Sequence, residues 1–162
     1  MKIGIIGSGR VGYSMGKYMQ DHGIRVTGFY DRHRERALDA AQFTGTDSFD
    51  RIEDLVAASD TLFLTTSDGE IANVWDCIRH LSIQGKIICH FSGSLSSDQF
   101  QGIEKTRAYG LSIHPMLAFS DKYTSYKQLQ NAFFTLEGHA QALAVMEPLL
   151  QKMGNPVQRI AP

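Results

Sequence analysis

The chain alternates short apolar runs with stretches whose apolar residues recur at helical spacing. Candidate strands are Lys2–Ile6, Arg25–Tyr30, Thr61–Thr65, Lys86–Phe91, Ala108–Ile113, Ala132–Leu136 and Val157–Ile160. The first four read as continuous rather than alternating runs, the pattern of strands covered on both faces. Between them lie helical stretches with legible ends. Val11–His22 stops at Gly23, a residue suited to the position just past a helix. Arg34–Phe43 follows Asp31, and Asp50 precedes "RIEDLVAAS" with Glu53 three residues on, a capping-box spacing. Glu70–Leu81 and Ala140–Met153 complete the series, the latter ending at Gly154. Pro148 inside this last stretch is expected to kink the helix or end it early.

Strand–helix alternation of this kind predicts an α/β fold: a doubly wound, mostly parallel sheet with helices on both faces, in three αβα layers. Ligands of such sheets bind at the carboxyl ends of the strands. The stretch from "YKQLQNAFFTLEG" onward is expected to add strands at one edge.

At 162 residues the chain is expected to form one domain. Its 43% apolar and 20% charged residues exclude a disordered or fibrous reading. A net charge of −1 provides no global field, so neither nucleic acid nor a membrane is expected as a partner. An anionic ligand must then be held by local geometry. Cys77 and Cys89 lack metal or redox spacing and read as reduced thiols, and the histidines are scattered singly, which disfavours zinc. Lys2 is followed only by Ile3–Ile6 before glycine and Arg10 intervene, too short for a secretory signal, so a cytoplasmic location is expected.

The first turn carries the sharpest signal. Gly7-Ser8-Gly9-Arg10-Val11-Gly12 matches G-x-G-x-x-G, and it follows a strand and opens a helix, the context that gives the pattern meaning. Gly7 makes the tight turn, Gly9 lets backbone approach a pyrophosphate, and Gly12 lets helix pack on strand. The free N–H groups and positive dipole of the helix start then face the phosphates. The second candidate strand ends in Asp31, whose carboxylate can accept ribose hydroxyls and would repel a 2′-phosphate. Arg32 and Arg34 pull the other way, since guanidinium groups clamp phosphate. The cofactor is therefore NAD or NADP, with a slight lean to NAD. The alternative for Asp31 is a helix cap.

The other half of a dinucleotide would cross to the end of "DTLFLTTSDGEI", where Thr65, Thr66, Ser67 and Asp68 offer hydrogen bonds to a ribose and a carboxamide. Ser67 or Asp68 can equally cap the following helix. Further along, "IICHFSGSLSSDQF" and "YGLSIHPMLAFSD" bring Ser92, Gly93, Ser94 and His114 to the same rim. His114 is the candidate general acid/base toward a hydroxyl or amine, with Ser92 beside it and His90 as a second candidate. The competing reading makes His114 a hydrogen-bonded structural residue.

Taken together, "MKIGIIGSGRVGYSMGKYM", "GKIICHFSGSLSS" and "LSIHPMLAF" resemble the Rossmann-like NAD(P)-binding oxidoreductases whose second half is a helical domain of unknown function. The resemblance runs over essentially the whole chain, and the "HFSGS" and "SIHPM" pair discriminates best. More distant likenesses are to pyrroline-carboxylate reductase, deazaflavin-linked NADP reductases, 3-hydroxyacid dehydrogenases and prephenate dehydrogenases. The last share an "HPM"-like element with a catalytic histidine, which is what singles out His114. Leu95 stands where that family has a lysine after Gly-Ser, which argues against prephenate as substrate. The resemblance implies hydride transfer between nicotinamide and a small hydroxy or imino acid; the competing reading of the chain is a non-catalytic dinucleotide-sensing module that acts through a partner. The relatives' helical domain, which closes the site and often dimerises, is expected to be absent from residues 1–162, and the assembly the resemblance implies is a homodimer.

Overall fold

The computed structural model describes all 162 residues. In chain order the elements are β1 (Ile3–Ile6), α1 (Arg10–Asp21), β2 (Val26–Tyr30), α2 (Arg34–Thr44), β3 (Asp47–Ser48), α3 (Ile52–Ala58) and β4 (Thr61–Leu64). There follow α4 (Asp68–Ile78), β5 (Ile87–His90), β6 (Tyr109–Pro115), β7 (Phe134–Gly138), α5 (Ala140–Lys152) and β8 (Val157–Arg159). Short 3₁₀ turns occupy Ser97–Gln99, Ile103–Lys105 and Ser125–Asn131.

All strands join one sheet in the order β3-β2-β1-β4-β5-β6-β7-β8. The first six positions run parallel in the doubly wound order, with the strand order reversing between β1 and β4. β7 then pairs antiparallel with β6, and β8 pairs parallel with β7. The three-layer α/β architecture expected from the alternation is the one found, with the added edge strands drawn from the C-terminal stretch.

The apolar runs form strands because both faces of the sheet are covered. Ile3, Ile5, Phe29, Phe63, Cys89, Leu111 and Leu136 face a core shared with α1, α2 and α5. Ile6, Leu62, Leu64 and Ile88 face a second core with α3 and α4, where Trp75 is 1% exposed. Side chains alternate between faces along each strand, so a central strand must be apolar at every position. "TLFL" and "IICH" meet that demand up to the carboxyl end, where the polar residues begin.

The structure departs from the local sequence signals at two places, and of the two outcomes expected for Pro148 it excludes the early end. β3 is two polar residues, too short to leave an apolar run, and forms because Gly28 has no side chain: a Cβ there would lie 2.1 Å from the Asp47 carbonyl oxygen. The capping box at Asp50 does not form. Arg51 is the N-cap of α3 and makes no side-chain cap, while Asp50 pairs with Arg34 at 2.8 Å. Nor does Pro148 end α5, which continues to Lys152. Pro148 and Ala144, whose carbonyl loses its N–H partner, both lie on the exposed side, where water serves the carbonyl instead. No helix is long and apolar enough to cross a membrane.

Candidate active site

The β1–α1 turn lies at the carboxyl edge of the sheet, beside the order reversal. Gly7 adopts φ +103°, and a Cβ on it would lie 2.9 Å from the Thr66 backbone nitrogen. At Gly12 a Cβ would meet the Gly7 carbonyl oxygen at 2.4 Å. Both glycines are therefore required by the protein's own packing. Gly9 is different: nothing lies within 4 Å of where its Cβ would be, and its φ is an ordinary −89°. The bare surface at Gly9 serves no contact within the chain.

Two clefts meet at that bare spot. One, of about 420 Å³, runs from Gly7, Ser8 and Gly9 past Asp31 to Ile52 and Val74. The other, of about 360 Å³, runs from Gly9 past Arg10 and Val11 toward Phe91, Ser92 and Phe119. Thr65, Thr66 and Ser67 border both. Two buried hydroxyl oxygens at this junction, Ser8 Oγ and Thr66 Oγ1, have no hydrogen-bond partner in the chain. Ser14 Oγ and Thr27 Oγ1 are likewise unpartnered, but neither of those residues lines either cleft, whereas Ser8 and Thr66 do. The Thr65 hydroxyl instead donates to the Gly7 carbonyl at 2.7 Å, holding the turn against β4.

Asp31 closes the far side of the first cleft. Its carboxylate accepts the Ser8 N–H and the His33 N–H, each at 2.8 Å. It is thus a fixed negative group directly under the turn rather than the cap of α2, whose N-cap is His33. Arg32 reaches Glu70 at 3.9 Å across the cleft mouth. Arg34 points elsewhere, to Asp50. In its place His33 and Arg36 line the cleft, two residues the sequence reading missed. The phase of α2 decides between Arg34 and Arg36, and its weak amphipathicity gave no sign of it.

On the nicotinamide side expected from the sequence, Ser67 sits at the N-cap of α4 and its hydroxyl makes no cap hydrogen bond. Ser92 is 5% exposed, and its hydroxyl oxygen accepts the N–H groups of Ser94 and Leu95 at 3.1 and 3.2 Å. His90 is fully buried; its Nε2 faces the Ser96 carbonyl at 2.9 Å and its Nδ1 faces the Ser92 N–H at 3.3 Å. With a carbonyl on one side and an N–H on the other, the ring is neutral and protonated at Nε2. Burial pushes its pKa below the ordinary histidine value. His90 is therefore a brace for the Ser92–Ser96 loop, with no nitrogen left for acid/base work, against the expectation of a second catalytic candidate.

His114 differs. Its ring lies on Gly93, where a Cβ would be 2.5 Å from its Cε1, and its Nδ1 is buried without a partner. It shares a pocket of about 230 Å³ with Ser92, Ser94, Ser112, Thr135 and Glu137. Ser92 borders both this pocket and the second cleft, so the three recesses follow one another along the carboxyl edge of the sheet.

A glycine turn required at two positions by packing and left bare at a third, two unpartnered hydroxyls beside it and an acid below define a dinucleotide-binding Rossmann domain. The chain belongs to the GFO/IDH/MocA oxidoreductase family with an NAD-binding Rossmann fold, whose model matches residues 1–83. Its cofactor class is thus a nicotinamide dinucleotide, NAD or NADP. No curated protein matches it in sequence. Among solved structures it is similar to a Bacteroides fragilis protein assigned as an NADP oxidoreductase, with 19% identity over 99% of this chain and 60% of that one, TM-score 0.86. It is also similar to arogenate dehydrogenase from Synechocystis, with 18% identity over 100% of this chain and 60% of that one, TM-score 0.81. An imine reductase from a Pseudomonas species gives 18% identity over 99% and 55%, TM-score 0.77. At these identities the likeness is one of fold, and the chain spans between 55% and 60% of the length of these proteins.

Proposed function

We propose that the chain holds a nicotinamide dinucleotide across the two clefts that meet at Gly9 and supports hydride transfer to or from a small hydroxy or imino substrate in the pocket beside Ser92. The observation that carries this reading is the succession of three recesses along the carboxyl edge, the first two meeting at Gly9 and the last two sharing Ser92, with His114 lining the third. The residues present suit the cofactor. Backbone N–H groups at the start of α1 and the hydroxyls of Ser8 and Thr66 would hold the diphosphate. Asp31 would take a ribose hydroxyl, with Arg32, His33 and Arg36 at the mouth, so the choice between NAD and NADP is made there by opposing charges. When bound, the nicotinamide supplies or accepts the hydride.

His114 gives or takes the accompanying proton at Nε2, the ring nitrogen that is neither hydrogen-bonded nor enclosed, and Gly93 gives its ring room to lie at the rim. Ser92 is fixed by its two backbone donors, and its hydroxyl hydrogen points to the Ser94 hydroxyl at 3.3 Å, which in turn donates to Asp68, so a chain of hydroxyls links the rim to that carboxylate. The test is turnover of NADH or NADPH with small hydroxy and imino substrates. His114→Asn should lower kcat by about 100-fold or more, the scale of a lost general acid/base, while the dinucleotide Kd holds. An unchanged kcat in that variant would remove His114 from the chemistry.

A further inference from the structure

The pocket beside Ser92 owes its floor to the only antiparallel pairing in the sheet. Across β6 and β7, Ser112 stands opposite Glu137 and His114 opposite Thr135. The alternation of side chains puts these four on one face, while Leu111, Ile113, Phe134 and Leu136 turn into the core on the other. The Ser92–Ser96 loop roofs the polar square, and Ile160 supplies an apolar wall.

Glu137 is the unusual member. It is 6% exposed, and its two oxygens accept the Ser97 N–H at 2.7 Å and the Ser97 hydroxyl at 2.5 Å. It takes part in none of the molecule's ion pairs, and no lysine or arginine lines the pocket. A buried carboxylate is ordinarily met by a cation. The second acid at this rim, Asp68, accepts the Ser94 hydroxyl at 3.0 Å. Both carboxylates act on the neighbouring His90 in the sense of favouring positive charge. The space next to the hydride-transfer rim is therefore polar and negative, with no permanent cation in it and His114 as its only basic group.

We infer that this pocket takes a small organic cation, an ammonium or iminium group, with Glu137 as its charge partner, so that the substrate is an amine or imine rather than a hydroxy-acid anion. The inference rests on the hydride-transfer reading for its meaning but concerns binding, and binding can be measured without turnover. Glu137 touches the substrate's charge; Ser112 and Thr135 flank it with hydroxyls.

The experiment is ligand-observed NMR on the full chain, with and without NADPH, using cyclopentylammonium and cyclopentanecarboxylate, two probes of like shape and opposite charge. The ammonium should bind at least about ten-fold more tightly, as an uncompensated charge discriminates by sign. Glu137→Gln should erase that preference with the dinucleotide Kd unchanged. Glu137 also anchors Ser97, so a second variant, Thr135→Lys, leaves that anchor alone and places a cation in the pocket; it should invert the preference. Equal or tighter binding of the carboxylate, a preference that survives Glu137→Gln, or no binding of either probe would overturn the inference. A purely structural Glu137 would lower thermal stability on substitution and leave the ratio of the probes untouched. Should dinucleotide binding fail while the ammonium preference holds, the hydride-transfer reading falls and the pocket's charge preference stands.

Discussion

Single residues at the rim divide into those that the chain needs for itself and those left over. Gly7 and Gly12 prevent clashes inside the protein, whereas Gly9 has open space around it, and only the last is explained by a ligand. His90 and His114 divide the same way: one has both ring nitrogens engaged, the other has a buried nitrogen with no partner. Burial lowers the pKa of His90, so the unfolded chain takes up a proton at higher pH than the folded one. Stability from this group is complete above the unfolded value of about 6.5 and is lost as pH falls from there toward the folded value. Denaturant midpoints measured from about pH 7.5 to 5.5 should fall, and His90→Gln, which keeps a donor for the Ser96 carbonyl, should flatten the decline. An identical slope in both proteins would show that His90 is not the group responsible.

At the scale of elements, the segment leaving β6 packs on the core through Leu117, Phe119 and Tyr126 and is tied to α1 and α2 by one polar cluster. The hydroxyls of Tyr13 on α1 and Tyr123 donate to the Asp39 carboxylate on α2, and Lys122 lies 5.0 and 4.8 Å from the two tyrosine ring centres. The Tyr13 hydrogen bond, then that of Tyr123, hold the Asp39 carboxyl below its usual range. The same segment brings Phe119 to the second cleft, so this cluster positions one wall of the site. Asp39→Ala should raise deuterium uptake across residues 117–126 and leave β1 and β4 protected; uptake that stays the same would mean the segment is held by other contacts.

The sequence made the long elements legible because both faces of the central strands are buried and every position must be apolar. It concealed β3, which depends on a missing side chain at Gly28, and the fate of Asp50, which Arg34 captures from the helix it was expected to cap. The glycine turn, Asp31 and Ser92 were readable from position, each standing at a strand's carboxyl end, and His114 from its position together with the resemblance of "SIHPM" to a known catalytic element. Glu137 was not. Its place opposite Ser112 follows from an antiparallel register that no local pattern encodes, and Arg36 follows from the rotation of a helix with little amphipathic signal.

Over the whole molecule, the antiparallel edge shares a core with the dinucleotide half, and one buried amide bridges the two with hydrogen bonds. Asn155 is 3% exposed; its nitrogen donates to the Leu129 and Ala132 carbonyls, and its oxygen accepts the Tyr18 hydroxyl of α1 at 2.7 Å. Asn155→Ala strands these partners in the interior and should cost about 3 kcal/mol by chemical denaturation, whereas a loss under about 1 kcal/mol would mean that water replaces the amide. The entire functional account, however, depends on the bare surface at Gly9. Fluorescence titration of NADH and NADPH into the wild-type chain and Gly9→Val tests it most directly. The account predicts saturable binding of at least one dinucleotide, weakened about 100-fold or more in the variant, with stability lowered by no more than the loss of a favourable N-cap residue, about 1 kcal/mol, since the new Cβ meets only open space. Equal affinity in the two proteins would contradict it.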